Sequence, residues 1–196
     1  MRQAILPLPP AFYARPAVAV ARDLLGRLLV SQQGGRRVAG RIVEAEAYAG
    51  SADPASHAAE RIGRTARNDP LFGPPGTAYV HCNYGVHWCF NAVVAEHGAP
   101  EGVLIRALEP VEGEPLMRER RGGCDELTNG PARLAQALGL GPELQGHRLD
   151  RPPVWLEEGE PVEAPDVVQT TRIGIRRGAD LPYRFYDRRS RWVSRR

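Results

Sequence analysis

Lysine is missing from this chain: all 26 of its Lys+Arg residues are arginine. Chemistry that runs through a lysine amine, Schiff-base catalysis above all, is closed to it, with the N-terminal amine as the one substitute. Cysteine is scarce. Three scattered residues, Cys82, Cys89 and Cys124, cannot make a disulfide framework, and an odd count fits a reducing compartment. No apolar run approaches the roughly 18–20 residues of a membrane span. The opening Met1-Arg2-Gln3-Ala4-Ile5-Leu6-Pro7 lacks the charged-then-apolar layout of a signal peptide. A secreted or membrane-bound protein is therefore not expected. P-loop, G-x-G-x-x-G, G-x-S-x-G, C-x-x-C and H-E-x-x-H patterns are absent too. Cys82, His87, Cys89, His57 and His81 crowd one region, but their spacing matches no zinc pattern, so no metal is expected.

What is present is the make-up of one globular domain. The 196 residues are 42% hydrophobic and 25% charged, enough to bury roughly 70% of the unfolded surface. Glycine (21) and proline (18) predict many turns and short elements rather than a helical bundle. Charge is unevenly placed. Residues 1–41 hold seven arginines and one acid, and residues 172–196 hold nine arginines and two acids, whereas the middle holds ten arginines and twenty acids. The two basic ends either meet in space as one face for a polyanion, or the last stretch, about 187–196, is a solvated basic tail.

Residues 7–10 read as an extended lead-in, and 17–25 carry apolar residues at helical spacing up to Gly26. Residues 28–31 and 37–48 read as a hairpin around Gly34-Gly35, and 78–83 and 86–94 as a second strand pair around Tyr84-Gly85. A strand at 103–108, helices at 112–120 and 131–138, and closing strands at 167–175 and 183–186 complete the order. Long loops are expected at 50–77 and 139–166. The predicted class is α+β: one compact domain, 1–196, with a mainly antiparallel curved sheet, short helices and a protruding hairpin.

Two segments carry candidate chemistry. In Arg41-Ile42-Val43-Glu44-Ala45-Glu46-Ala47-Tyr48, strand alternation puts Ile42, Glu44, Glu46 and Tyr48 on one face and Val43, Ala45 and Ala47 on a core face. Same-face neighbours lie roughly 6.6 Å apart along a strand, near the roughly 6.5–9.5 Å between carboxylates that invert a glycosidic centre. A polar outer face on a half-buried strand is the plainer alternative. The second segment, 76–91, packs Tyr79, His81, Tyr84, His87 and Trp88 into a hairpin-like span. Rings are platforms for nucleobases, and a ring at a turn can wedge between base pairs. Aromatics also favour strands and cores, which suits Trp88 and Phe90.

Together these segments resemble the alkyladenine (3-methyladenine) DNA glycosylase family. The resemblance runs from residue 41 through Tyr48 and Gly50, then Asp53 through His57, Arg67-Asn68, and Gly76-Thr77-Ala78-Tyr79-Val80. It continues at Tyr84-Gly85, Cys89-Phe90-Asn91, Leu104-Ile105-Arg106 through Pro110, and Gly130-Pro131-Ala132-Arg133-Leu134. It closes at Arg172-Ile173-Gly174-Ile175 and Trp192-Val193-Ser194, so it covers nearly the whole chain. The resemblance implies a compact mixed domain whose hairpin probes the DNA minor groove.

It also implies roles. Glu46 would be the general base that activates water, and Arg106 a basic residue beside it. Tyr48 and His57 would line the pocket for a flipped base, and Asn91 would crowd the exocyclic amine of guanine. Tyr84 would be the wedge that fills the gap in the stack. His81 stands where the animal enzymes carry a second stacking tyrosine, and an imidazole can titrate near neutrality. Glu44 is then a bystander.

The implied activity is a monofunctional, cofactor-free DNA-3-methyladenine glycosylase of base excision repair. It would release 3-methyladenine and 7-methylguanine, with hypoxanthine and ethenoadenine as further candidates. Its partner would be double-stranded DNA containing alkylated or deaminated purines, handled by a monomer at the cytoplasmic nucleoid of a bacterium. Two other classes fit some of the same residues: a non-catalytic damaged-DNA-binding module, and a small-molecule glycoside hydrolase using Glu44 and Glu46.

Overall fold

Alternating apolar positions in long strands dictate the architecture. The computed structural model describes residues 6–59, 61–83 and 85–196. Strands β1 (Leu28–Gln33) and β2 (Arg36–Tyr48) form the first hairpin, and β3 (Ala78–Asn83) and β4 (His87–Val94) the second. They are followed by β5 (Glu101–Glu112), β6 (Asp150–Arg151), β7 (Val154–Glu157), β8 (Val167–Thr170) and β9 (Arg184–Asp187). The main sheet runs β3-β4-β5-β2-β1-β7-β6, every pairing is antiparallel, and β9 pairs with both β2 and β8. The antiparallel α+β class expected from the sequence is the observed one.

One face of the sheet is core. Ala45, Ala47, Ala78, Val80, Phe90, Ala92, Val103 and Ile105 point into a single apolar cluster. Short helices cover that face: α1 (Pro10–Tyr13), α2 (Ala17–Asp23), α3 (Glu114–Arg120) and α4 (Pro131–Leu138). Of these, α2 lies against β2 and β5, and α4 against β4 and β5. Proline opens α4 and left-handed Gly139 (φ 70°) closes it, as expected where a chain must start and stop a helix abruptly.

The centre of the sheet is irregular. β2 leaves β1 at Arg41 and takes β9 as its neighbour at Glu44–Glu46, while β5 pairs along its other edge. Between these partners, β2 and β5 each carry a register shift, so Val43 and Arg106 drop out of the ladder. Such bulges bend strands and re-aim side chains. Strict alternation therefore fails at this point: Ile42 joins the core cluster with Ala45 and Ala47, and Val43 does not.

Several expected boundaries move. β5 extends to Glu112, so α3 begins only after Gly113 (φ 75°), where a Cβ would stand 2.6 Å from the Arg37 carbonyl oxygen. The expected loop at 139–166 contains β6 and β7, the latter pairing with β1 and burying Trp155. The lead-in turns helical at Pro10. The strand expected at 167–175 stops at Thr170, freeing residues 171–175 to cross the open face of the sheet. The last residues are not a solvated tail: Val193 and Ser190 are buried, and Ser194 bonds to Glu44.

Candidate active site

The face of the sheet opposite the core carries the polar residues, and strand register lines them up. Tyr79 pairs with Asn91, Asn91 with Leu104, and Leu104 with Glu46, so four strands place these residues in one lateral row. One step to one side of that row His81 pairs with Cys89, and one step to the other Tyr48 pairs with Gly102, whose missing side chain leaves room for Leu71. Residues 49–77 and 171–183 cover this face. Between them lies a cavity of about 230 Å³, lined by Tyr48, His57, Tyr79, His81, Asn91, Leu104, Arg106 and Ile173 among others.

Glu46 lies beneath this lining with no exposed surface. One carboxylate oxygen accepts the Ile173 N–H at 2.7 Å. The other accepts the Tyr48 hydroxyl at 3.0 Å and faces the Arg106 guanidinium at 3.2 Å. Burial and the Glu46 charge push the Tyr48 phenol far above its usual range, so it stays a neutral donor. A carboxylate has about four acceptor positions. Two hydrogen bonds and the Arg106 contact engage Glu46 and leave room for another proton.

Glu44, also fully buried, is more heavily bonded. It accepts from Arg106 Nε at 3.1 Å, Arg184 Nη1 at 2.8 Å, the Ser194 N–H at 2.7 Å and the Ser194 hydroxyl at 3.0 Å. Neither carboxylate is on a polar outer face. Glu44 is enclosed by two arginines and Ser194 with no exposed surface, which argues against a paired-carboxylate glycoside hydrolase.

The cavity wall is a ring cluster. Tyr79 and His81 stack at 5.3 Å and 27°, and His57 meets His81 edge-on at 4.5 Å. His57 Nδ1 lies 2.9 Å from the Tyr79 hydroxyl. The Asn91 amide nitrogen donates to the Tyr79 carbonyl at 3.0 Å and lies 3.3 Å from His81 Nδ1. That nitrogen of His81 is thus an acceptor, and its proton sits on Nε2. Burial, with His57 and the Arg67 charge, holds His81 down to about 3. It therefore does not titrate near neutrality, contrary to the expectation for a free imidazole. His57 is lowered by burial and Arg67 as well. Burial pushes the Cys89 thiol up to about 11, which keeps it protonated.

Beneath Tyr48 runs a second buried pair. Arg172 and Asp53 are bonded in a fork, with neither side chain exposed. The guanidinium also caps the Tyr48 ring at 4.7 Å and donates to the Ala47 carbonyl at 2.9 Å. Burial opposes the Asp53 charge, but hydrogen bonds from Arg172, Ala55 and Ala49 hold it below the usual carboxylate range.

The structure thus brings six of the residues singled out in the sequence around one cavity: Glu46, Arg106, Tyr48, His57, His81 and Asn91. Tyr84 lies outside the described residues. In the sequence it stands between β3 and β4. Sequence reasoning counted Tyr79 among the candidate stacking rings without giving it a place in the pocket, and it missed the Arg172–Asp53 pair, whose members are 119 positions apart and left no local signal. Part of the charge at the two basic ends is neutralised within the fold. Arg15, Arg27, Arg36, Arg37 and Arg41 each pair with an acid, and Arg172 and Arg184 are spent inside the site. Among the described residues, no three His, Cys, Asp or Glu side chains are grouped to hold a metal ion, and no helix is long and apolar enough to cross a membrane.

Residues 11–191 match the family model described as methylpurine-DNA glycosylase. The chain is 49% identical over 191 residues to a protein of Carboxydothermus hydrogenoformans, covering 96% of this chain and 98% of that one. It is 50% identical over 196 residues to one of Methanoculleus marisnigri, covering 96% and 99%. A Myxococcus xanthus protein is 47% identical over 191 residues, covering 96% and 93%. All three carry 3-methyladenine DNA glycosylase in their names.

Proposed function

Because this chain belongs to the methylpurine-DNA glycosylase family, an enzyme family of DNA repair, we propose that it flips an alkylated purine out of duplex DNA and hydrolyses its N-glycosidic bond with water activated by Glu46. The bases released are 3-methyladenine and 7-methylguanine, with hypoxanthine and ethenoadenine as slower substrates. The product is an abasic site in an uncut strand. The observation that carries this reading is Glu46 itself: a buried carboxylate held by two hydrogen bonds and an ion pair just beneath the lining of a ring-walled cavity, with room to accept another proton.

Flipping costs a few kcal/mol. Tyr84, between β3 and β4 in the sequence, offsets part of it by filling the gap in the stack. The base stacks on Tyr48 against the wall of His57, Tyr79 and His81. Asn91, whose amide nitrogen is fixed by its bonds to Tyr79 and His81, crowds the amine of guanine. An alkylated purine is cationic and leaves without prior protonation. As the bond breaks, the sugar gains oxocarbenium character. Glu46 stabilises that charge and takes the proton of the attacking water, while Arg106 fixes its orientation. With no lysine in the chain, no Schiff base from that side chain forms with the abasic sugar, which fits a monofunctional enzyme. Every site residue comes from one chain, in keeping with a monomer, and DNA as substrate places it at the cytoplasmic nucleoid.

The test is Glu46→Gln. Release of 7-methylguanine from methylated duplex DNA should fall by orders of magnitude under single-turnover conditions, while binding to a duplex with an abasic-site analogue persists. Undiminished release would refute the mechanism. Binding without release by the unaltered protein would mark it as a non-catalytic damage-binding module.

A further inference from the structure

We propose that Glu44 is a positioning residue for the reaction: with Arg184 and the closing residues 192–196, it holds Arg106 in a fixed division between two carboxylates and so sets the pH below which Glu46 stops working as a base. The proposal rests on the reading of Glu46 as that base and says what regulates it.

The geometry is a buried chain of alternating charge. Glu46 faces Arg106 Nη1 at 3.2 Å, Arg106 Nε reaches Glu44 at 3.1 Å, and Glu44 reaches Arg184 at 2.8 Å. None of the four side chains is more than 9% exposed. The double register shift creates this arrangement, because a regular ladder would seat Arg106 in sequence with its neighbours on β5, whereas here it stands out of the ladder beside Glu44. One cation is shared by two anions, so whatever strengthens its hold on one weakens it on the other.

Arg184 and Ser194 draw on Glu44 from the far side and leave Arg106 free to lean on Glu46. Arg184 also donates to the carbonyls of Thr171 and Arg195, at 3.0 and 2.8 Å. It thereby ties the chain's last residues to the segment that brings the Ile173 N–H to Glu46. The charged and titratable groups around Glu46 are Glu44 and Tyr48 on β2, Arg106 on β5, Cys89 on β4 and Arg172 on the covering segment. Tyr48 and Cys89 are both pushed upward by burial and remain neutral. The charges that bear on Glu46 are therefore those of Glu44 and the arginines, and the acid limb of the rate profile is the readout of their balance.

Two substitutions should move that limb in opposite directions. Glu44→Gln removes the competing anion, so Arg106 acts on Glu46 alone. The acid limb of 7-methylguanine release should move down by about one to two pH units, as for charges one strand step apart at an effective dielectric near 20. Arg184→Gln leaves Glu44 with only Arg106 as its cation, and the limb should move up. Arg184→Lys should restore it.

A merely structural role would lower the rate in both variants without opposite displacements, and that result would overturn the proposal. Should Glu44→Gln fail to fold by circular dichroism, Arg184→Gln decides alone: an upward shift supports the proposal and an unmoved limb overturns it. Glu46→Gln separates the two readings. If it stays active, the proposed function fails and this inference with it. If it is inactive while the other profiles match the unaltered protein, only the role of Glu44 is lost.

Discussion

Asp53→Asn tests whether the site is held from below. Asp53 receives two hydrogen bonds from Arg172 and one each from the N–H groups of Ala49 and Ala55, at 3.1 and 3.0 Å. Both partners of the ion pair are inaccessible to solvent. Substituting the amide leaves a buried guanidinium without its counter-charge, which costs about 3–5 kcal/mol. For a chain of this size, each kcal/mol moves Tm by about 2–4 °C, so the melting point should drop by roughly 6–20 °C.

The pH dependence carries a sign. The Asp53 carboxyl is held below the usual carboxylate range in the folded protein. Its contribution is therefore complete above the unfolded value and is lost as pH falls through the folded one. The gap between the unaltered protein and the variant should be widest near neutrality and should narrow in acid below about pH 4. Because Arg172 caps Tyr48 and precedes Ile173, whose N–H holds Glu46, base release should slow as well. Paired replacement, Asp53→Leu with Arg172→Met, should recover stability but not activity. Thermal melts followed by circular dichroism from pH 3 to 8 decide the matter. A variant melting within about 2 °C of the unaltered protein at pH 7 would refute the account.

Two shorter expectations follow from the same site. His81→Phe should lower base affinity yet leave the rate profile between pH 5 and 8 unchanged in shape, because His81 is neutral throughout that range; a lost or displaced limb in single-turnover assays would contradict this. DNA affinity should weaken with salt only moderately. Arg61, Arg67, Arg176 and Arg177 are exposed, lie within a few residues of cavity-lining positions in the sequence or beside His57 and His81, and form no ion pair among the described residues. At about −0.9 per phosphate, four contacts give a log–log slope near −3.6, against about −14 if all sixteen arginines of the two ends took part. A measured slope steeper than about −8 would bring the rest of the two basic ends into the interface.

Local signals were legible in the sequence wherever one strand or helix decided the outcome. The Gly34-Gly35 hairpin, the β3–β4 pair and the proline-to-glycine bounds of α4 all follow from turn chemistry and apolar spacing. The segment 41–48 shows where such reasoning ends. Its alternation is broken by a bulge whose cause lies on β5, 60-odd residues away, and its two glutamates are buried because covering segments from 49–77 and 171–196 close over them. The same holds for charge. Counting arginines along the chain suggested a free basic face, but the acidic middle supplies a partner for most of the N-terminal ones. Tyr79 and His81 could be paired by their spacing of two. Arg172 and Asp53 could not be paired by anything short of the fold.

The charge balance of the site bears on which lesions it can process. Glu44, Glu46 and Asp53 are matched by Arg106, Arg172 and Arg184, and both cavity histidines are kept from protonating. A cationic purine therefore enters a cavity with no net opposing charge and gains cation–π attraction of about 0.5–2 kcal/mol. That is worth at most about thirtyfold in affinity, and less at Tyr48, whose ring already carries the Arg172 guanidinium on one side. Binding alone cannot then explain a strong preference for alkylated bases. The remainder has to come from the leaving group, since a methylated purine departs without a proton while hypoxanthine needs one. Among the described residues, no strong acid stands in this cavity: burial lowers both His57 and His81, Cys89 holds its proton up to about 11, Tyr79 is raised to about 12 and is engaged with His57, and Tyr48 donates to Glu46. Hypoxanthine release should accordingly be slower than 7-methylguanine release by far more than thirtyfold in single-turnover assays on matched duplexes. Equal rates would require an acid that this arrangement of side chains does not provide.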